Sequence, residues 1–218
     1  MKGLFLRIFY FLIVRPILTL IIGVRFRNRG IMKGINQFIM VGNHNSHFDS
    51  VALMAALPGK MLMNTHMVAA NDYFGKSSRS KFFMNLFFNS ILIRRQREEG
   101  APSAIGVLDE YLKQGKSLIL FPEGTRGEPG MISDFKKGVA ILLQRNPQIP
   151  FIPVYLNGFG RVLPKDTFLI IPLVCKIRFG QPRHPGPHDI DTILEMVKED
   201  ILSLKHEDEK DRNQFRFE

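Results

Sequence analysis

The apolar and polar positions fall into stretches of different character. From residue 3 to residue 24 the chain reads GLFLRIFYFLIVRPILTLIIGV, almost wholly apolar and interrupted by Arg7, Arg15 and Pro16. A surface helix normally confines its apolar residues to one stripe, so uniform apolarity points to burial or to lipid. An arginine near the centre of a spanning helix costs about 2.5 to 3.5 kcal/mol on insertion scales, and a proline kinks the helix. The pattern therefore predicts a helix or helix pair lying in a membrane interface, its arginines reaching toward lipid phosphates. A buried helix is the competing reading. A secretory signal is disfavoured, because basic residues rather than a small-residue cleavage site follow the apolar run.

Beyond the basic connector the periodicity alternates between short apolar runs and helical spacing. Strands are expected over 37–43, 65–70, 90–94, 117–121, 150–156 and 174–180. Helices are expected over 49–57, 78–88, 101–115, 135–144 and 190–204, with Pro58 and Gly115 as stop signals. Strands alternating with helices imply an α/β class, a single domain with a largely parallel mixed sheet flanked by helices. The stretch KFFMNLFF holds Phe82, Phe83, Phe87 and Phe88, which suit either core packing or a wall that touches acyl chains or lipid. The tail KHEDEKDRNQFRFE has mixed charge and little apolar content, and reads as a frayed, solvated end. The expected organisation is a membrane-associating segment over 1–34, one domain over 35–205 and a charged tail over 206–218.

Composition narrows the partners. A chain of 218 residues, 45% hydrophobic, can bury the core of one domain and is short for two. Its formal net charge of +10 suits nucleic acid, anionic lipid or a phosphorylated substrate. Lys2, Arg7, Arg15, Arg25, Arg27, Arg29 and Lys33 all precede the first acidic residue, Asp49. These charges are interleaved with long aliphatic runs and no nucleic-acid-binding motif accompanies them, so nucleic acid is not expected as a partner. The single cysteine, Cys175, rules out an intramolecular disulfide, argues against a thiolate metal site and suits a reducing, cytoplasmic compartment.

Two segments carry candidate chemistry. In GNHNSHFDS, His44 and Asp49 flank a loop at the exit of the 37–43 strand, where sites form in α/β sheets. Five positions on a straight helix amount to about 140° of rotation, so the two side chains meet only if the loop turns between them. Ser46 as helix cap with Asp49 in the first turn would leave His44 in the loop. Asp49 would then fix the tautomer of His44 and support its charge, making His44 a general base. The bland alternative is a loop histidine bonded to backbone and a carboxylate that only caps a helix. His47 has no evident partner. The second segment, FPEGTRG over 121–127, follows a strand; its glycines let backbone approach a phosphate and Arg126 can bind one bidentately. A bare turn is the alternative. Further cations cluster at Arg94, Arg95 and Arg97 and at Lys136 and Lys137.

Taken in order, these segments resemble the glycerolipid acyltransferase family typified by the bacterial 1-acylglycerol-3-phosphate acyltransferases. His44 and Asp49 fall on its H-x4-D motif, Asn89 to Arg95 on its second block, FPEGTR on its third and IPFIPV on its fourth, the similarity running from about Gln37 to Val154. The resemblance implies direct acyl transfer from acyl-CoA or acyl-carrier protein to the free hydroxyl of a lysophospholipid acceptor, 1-acylglycerol 3-phosphate, giving phosphatidic acid, without a covalent acyl-enzyme, a metal or a tightly bound cofactor. Within it His44 is the base and Asp49 its support. Glu123, Gly124, Thr125 and Arg126 bind the acceptor glycerol and phosphate, and Arg95 and Lys137 are counted with them. No G-x-S-x-G elbow for a serine nucleophile occurs. The chain departs from the family pattern at Asn89, where Gly is usual, at Arg94, where an acidic residue is common, and at Gly127, where Ser is common. These departures leave open a different lysolipid acceptor, and a catalytically silent lipid-binding module at the membrane surface also remains open. The expected location is the cytoplasmic face of the cell membrane, as a monotopic or peripheral protein in contact with membrane lipids.

Overall fold

A computed structural model describes residues 2–71, 82, 85–94, 103–162 and 174–214. Its centre is a seven-stranded sheet built from β1 (Arg25–Arg27), β2 (Ile39–Gly42), β3 (Thr65–Ala70), β4 (Ile91–Ile93), β5 (Ser117–Leu120), β6 (Phe151–Asn157) and β7 (Lys176–Phe179), in the order β1-β7-β6-β2-β5-β3-β4. Every pairing is parallel except β6 with β7. Strands covered on both faces read as continuous apolar runs, which is why IMVG and SLIL carry no alternation and are buried throughout. Their side chains still alternate between two cores. Ile39, Val41, Leu118, Leu120 and Tyr155 face the layer of α4 (Ala104–Lys113), α5 (Gly138–Arg145) and α7 (Ile190–Gln214). Met40, Ile119, Ile152 and Val154 face α2 (His47–Ala56) and the N-terminal helix. The short helices α3 (Gly59–Leu62) and α6 (Phe159–Val162) follow α2 and β6.

The N-terminal segment is one continuous helical stretch, α1 (Lys2–Ile8) running on through π-helical turns at Phe9–Val14 and Ile17–Ile21. Leu6, Tyr10, Val14, Leu18 and Ile22 are buried at intervals of four residues. On a regular α-helix a four-residue repeat drifts by about 40° per step and would leave the core after two turns; the wider π turns, closed by i→i+5 bonds, cancel that drift and keep one face against the domain. The other face, with Leu4, Phe11, Leu12, Ile17, Leu20 and Ile21, is exposed. Gly3–Ile21 is long and apolar enough to cross a membrane, but 22% of its most apolar window is buried against the domain.

The arginines of this segment are engaged with protein. Arg15 donates through Nε to the Ala55 carbonyl at 2.6 Å and through Nη2 to that of Leu57. Arg7 donates to Gly59 at 3.0 Å and Arg29 to Ala56. The last carbonyls of α2 lack partners within the helix and carry its negative dipole end, so the guanidinium groups of Arg15 and Arg29 converge there, and that of Arg7 on the first residue of α3, rather than on lipid phosphates. Burial lowers the pKa of Arg15 and of Arg29.

The far end of the chain also differs from its sequence pattern. The stretch expected to fray continues α7 to Gln214, and Asp208 is fully buried. Asp208 accepts from Asn157 at 2.7 Å and pairs with Lys176 at 3.2 Å, while Arg178 pairs with Glu207 at 3.4 Å and with Asp211. The carboxylates of the tail have their counter-charges on β7, a pairing that local composition does not reveal. Of the expected 78–88 helix the structure describes residues 82 and 85–88, helical at each.

Candidate active site

β2 and β5 are parallel neighbours in register, Val41 opposite Leu120, so the loops leaving their C-terminal ends emerge side by side. Open α/β sheets place their sites at such strand ends. The loop after β2 carries His44 and the loop after β5 carries FPEGTRG, and the pairing of two strands nearly eighty residues apart brings them together.

The first loop turns as required. Ser46 caps α2, its hydroxyl accepting from Phe48 N at 3.3 Å, and Asp49 returns a bond to the Ser46 amide at 2.7 Å, which completes a capping box. The same Asp49 Oδ2 accepts from the Asn45 amide at 2.7 Å and lies 3.0 Å from His44 Nδ1. A carboxylate can only accept, so Nδ1 carries a proton, and in the neutral imidazole Nε2 is the nitrogen left with a lone pair. Asp49 is fully buried and the His44 side chain is 16% exposed. Oδ1 of Asp49 is buried without a hydrogen-bond partner among the described residues. Burial, with the Asp49 charge as a second cause, pushes the Cys175 thiol up to about 12, so this cysteine stays protonated.

The second loop grips His44 from the other side. The Phe121 ring stacks on the imidazole with centroids 4.1 Å apart. Glu123 Oε1 accepts from the His44 amide at 2.7 Å, Glu123 Oε2 accepts from the Ser133 amide at 3.0 Å, and the Gly127 amide donates to the His44 carbonyl at 2.9 Å. Burial raises the Glu123 pKa, against the opposing pull of these amide donors. Gly124 sits at φ +71°, a left-handed conformation that favours glycine. At Gly127 a Cβ would stand 3.0 Å from Ser133 Oγ and 3.1 Å from Glu123 Oε2, a crowding that fits glycine at this departure from the family pattern.

Of the other candidates, Arg126 lies close enough to His47 to disfavour its charged form, an effect second to burial in lowering the His47 pKa. His47, which had no evident partner in the sequence, thus stands in the first turn of α2 beside the site. Thr125 is exposed on the loop. The Lys137 ammonium pairs with Asp191 at 2.7 Å, whereas the Lys136 side chain covers Gly124, with Cε 3.1 Å from where a Cβ would stand. Arg95, Arg97 and Phe83 lie outside the described residues. Asn89 takes φ +50° and is buried, its amide donating to Thr65 O at 3.1 Å and Met63 O at 3.3 Å. Asparagine tolerates the left-handed region, so it can stand at a position where glycine is usual. Phe87 packs on the N-terminal helix, 4.8 Å from the Phe9 ring, and its carbonyl accepts from Tyr10 Oη at 2.9 Å. Sequence reasoning also missed Asn43, whose side-chain amide bonds both backbone groups of Leu156, at 2.8 and 3.0 Å, and pins the His44 loop to β6.

The chain is similar to the 1-acyl-sn-glycerol-3-phosphate acyltransferase alpha of Homo sapiens, 25% identical over 176 residues that make up 78% of this chain and 59% of the human protein. It is 27% identical over 191 residues to the 1-acyl-sn-glycerol-3-phosphate acyltransferase of Limnanthes douglasii, covering 85% of this chain and 64% of that one. It thus spans about three fifths of the length of these relatives. The solved 1-acyl-sn-glycerophosphate acyltransferase PlsC of Thermotoga maritima shares the fold, with a TM-score of 0.65 and 23% identity over 84% of this chain and 72% of that one. The acyltransferase family model matches residues 23–157, more than half the chain and a span that holds His44, Asp49, FPEGTR and β6, and the chain therefore belongs to the acyltransferase family.

Proposed function

We propose that this chain moves a fatty acyl group from acyl-CoA or acyl-carrier protein to the free hydroxyl of 1-acylglycerol 3-phosphate, giving phosphatidic acid. The observation that carries the reading is His44, its Nδ1 on the buried Asp49 and its Nε2 unbonded among the described residues, beside a loop that carries Arg126. In the reaction Nε2 takes the acceptor hydroxyl proton as that oxygen attacks the thioester carbonyl. The tetrahedral intermediate then collapses, the C–S bond breaks and Nε2 returns the proton to the leaving thiolate. A thioester is already activated, so positioning and a base suffice, and the atoms balance without a metal or a tightly bound cofactor. Arg126, two residues beyond the left-handed Gly124 and next to the exposed Thr125, binds the acceptor phosphate. The names of the relatives support this acceptor. The exposed apolar face of the N-terminal helix lies in the membrane interface at the cytoplasmic side, where a lipid-borne acceptor is met.

The test offers purified protein in detergent a panel of lysolipids with radiolabelled acyl-CoA or acyl-carrier protein. Preference for 1-acylglycerol 3-phosphate, abolished by His44→Ala, is expected. Preference for another lysolipid would overturn the acceptor, and transfer to none would overturn the activity.

A further inference from the structure

His44 has four handles besides Nε2: its amide, its carbonyl, its ring face and Nδ1. Asp49 holds the last, and the loop 121–127 holds the other three through Glu123, Gly127 and Phe121. The family resemblance makes Glu123 a ligand of the acceptor glycerol. Its surroundings argue otherwise, because the residue is 3% exposed and each carboxylate oxygen already accepts a backbone N–H, from His44 at 2.7 Å and from Ser133 at 3.0 Å. A substrate hydroxyl would have to enter a buried space that these two amides occupy. Bonds from N–H to a carboxylate are about twice as strong as neutral ones, so the carboxylate is a stiff brace between the two catalytic loops.

We propose that Glu123 is a positioning residue, fixing the peptide of the base rather than binding the acceptor; the inference rests on His44 acting as base in the acyl transfer above. A displacement of the base by about 1 Å can cost about a hundredfold in rate without weakening substrate binding, which separates the two roles. In Glu123→Gln a single carbonyl oxygen cannot serve both amides, and one N–H must face an NH2 group. Glu123→Asp keeps the charge but shortens the reach by one methylene, so it too can hold only one of the two.

The experiment compares wild type, Glu123→Gln and Glu123→Asp as full chains in detergent, each checked for cooperative thermal unfolding. It reads steady-state kinetics with acyl-CoA and 1-acylglycerol 3-phosphate, and hydrogen–deuterium exchange of the His44 amide. The expected result for both variants is a fall in kcat of about a hundredfold with the acceptor KM within about threefold, together with His44 exchange faster by about tenfold or more. A rise in acceptor KM of about tenfold at unchanged kcat, or unchanged His44 exchange in a folded variant, would overturn the proposal. If the wild type acylates no lysolipid, the activity reading falls, while the exchange measurement still decides whether Glu123 holds the His44 peptide.

Discussion

Asp49→Asn tests how much of the site rests on one carboxylate. In the wild type Oδ2 accepts from His44 Nδ1 and from the amides of Asn45 and Ser46, while Oδ1 is buried with no partner among the described residues. The asparagine oxygen can take the place of Oδ2, which sends its NH2 group into the Oδ1 space, so that one unpartnered buried atom replaces another. Three charge-assisted bonds become neutral, at about 1 kcal/mol each. The expected destabilisation is about 3 kcal/mol, which in a chain of this size lowers Tm by about 6 to 12 °C. The Nδ1–H bond survives, so the tautomer is kept, but the imidazolium formed during transfer loses its counter-charge and kcat should fall about a hundredfold or more. Thermal unfolding in detergent and initial rates at saturating donor measure the two effects. A Tm within about 2 °C of wild type would refute the hydrogen-bond argument. A rate within tenfold would refute the role assigned to the charge.

Three further outcomes are expected. Arg15→Leu strands the Ala55 and Leu57 carbonyls at the end of α2 and should destabilise the protein by about 2 to 4 kcal/mol, read as Tm, with Arg15→Lys intermediate because an ammonium lacks the guanidinium fork. His47 has its pKa lowered below 6.5, chiefly by burial, so the unfolded chain binds more protons through that region; stability contributed above 6.5 is lost as pH falls through it, and His47→Asn should flatten the Tm profile between pH 7.5 and 5. Replacing the exposed Phe11 and Leu20 by Asp should abolish sedimentation with liposomes while leaving Tm unchanged; retained binding would contradict a membrane-facing surface there. Removing the first 25 residues is a poorer test, since it strips Leu6, Tyr10, Val14, Leu18 and Ile22 from the core.

The local chemistry of the chain determined a good deal by itself. Apolar runs of strand length between helical stretches announced an α/β domain, Ser46 and Asp49 announced a capping box, and the H-x4-D and FPEGTR segments carried the resemblance to the acyltransferases. These features depend on neighbours within a few residues, where sequence order and spatial order coincide. β1 escaped notice because RFR is a three-residue edge strand with two exposed charges, too short for a period to register. What only tertiary structure decided were the pairings between distant segments. Arg7 and Arg15 could satisfy lipid phosphate or helix carbonyls equally well in chemical terms, and the positions of α3 and α2 chose the carbonyls. The tail could fray or fold, and the cations of Lys176 and Arg178 on β7 chose folding. Glu123 looks like a ligand for substrate in its own loop and becomes a brace for His44 once β5 lies against β2. A charged group has many acceptable partners and the linear order of residues does not rank them; packing does, by setting which partner is within about 3 Å when water is gone.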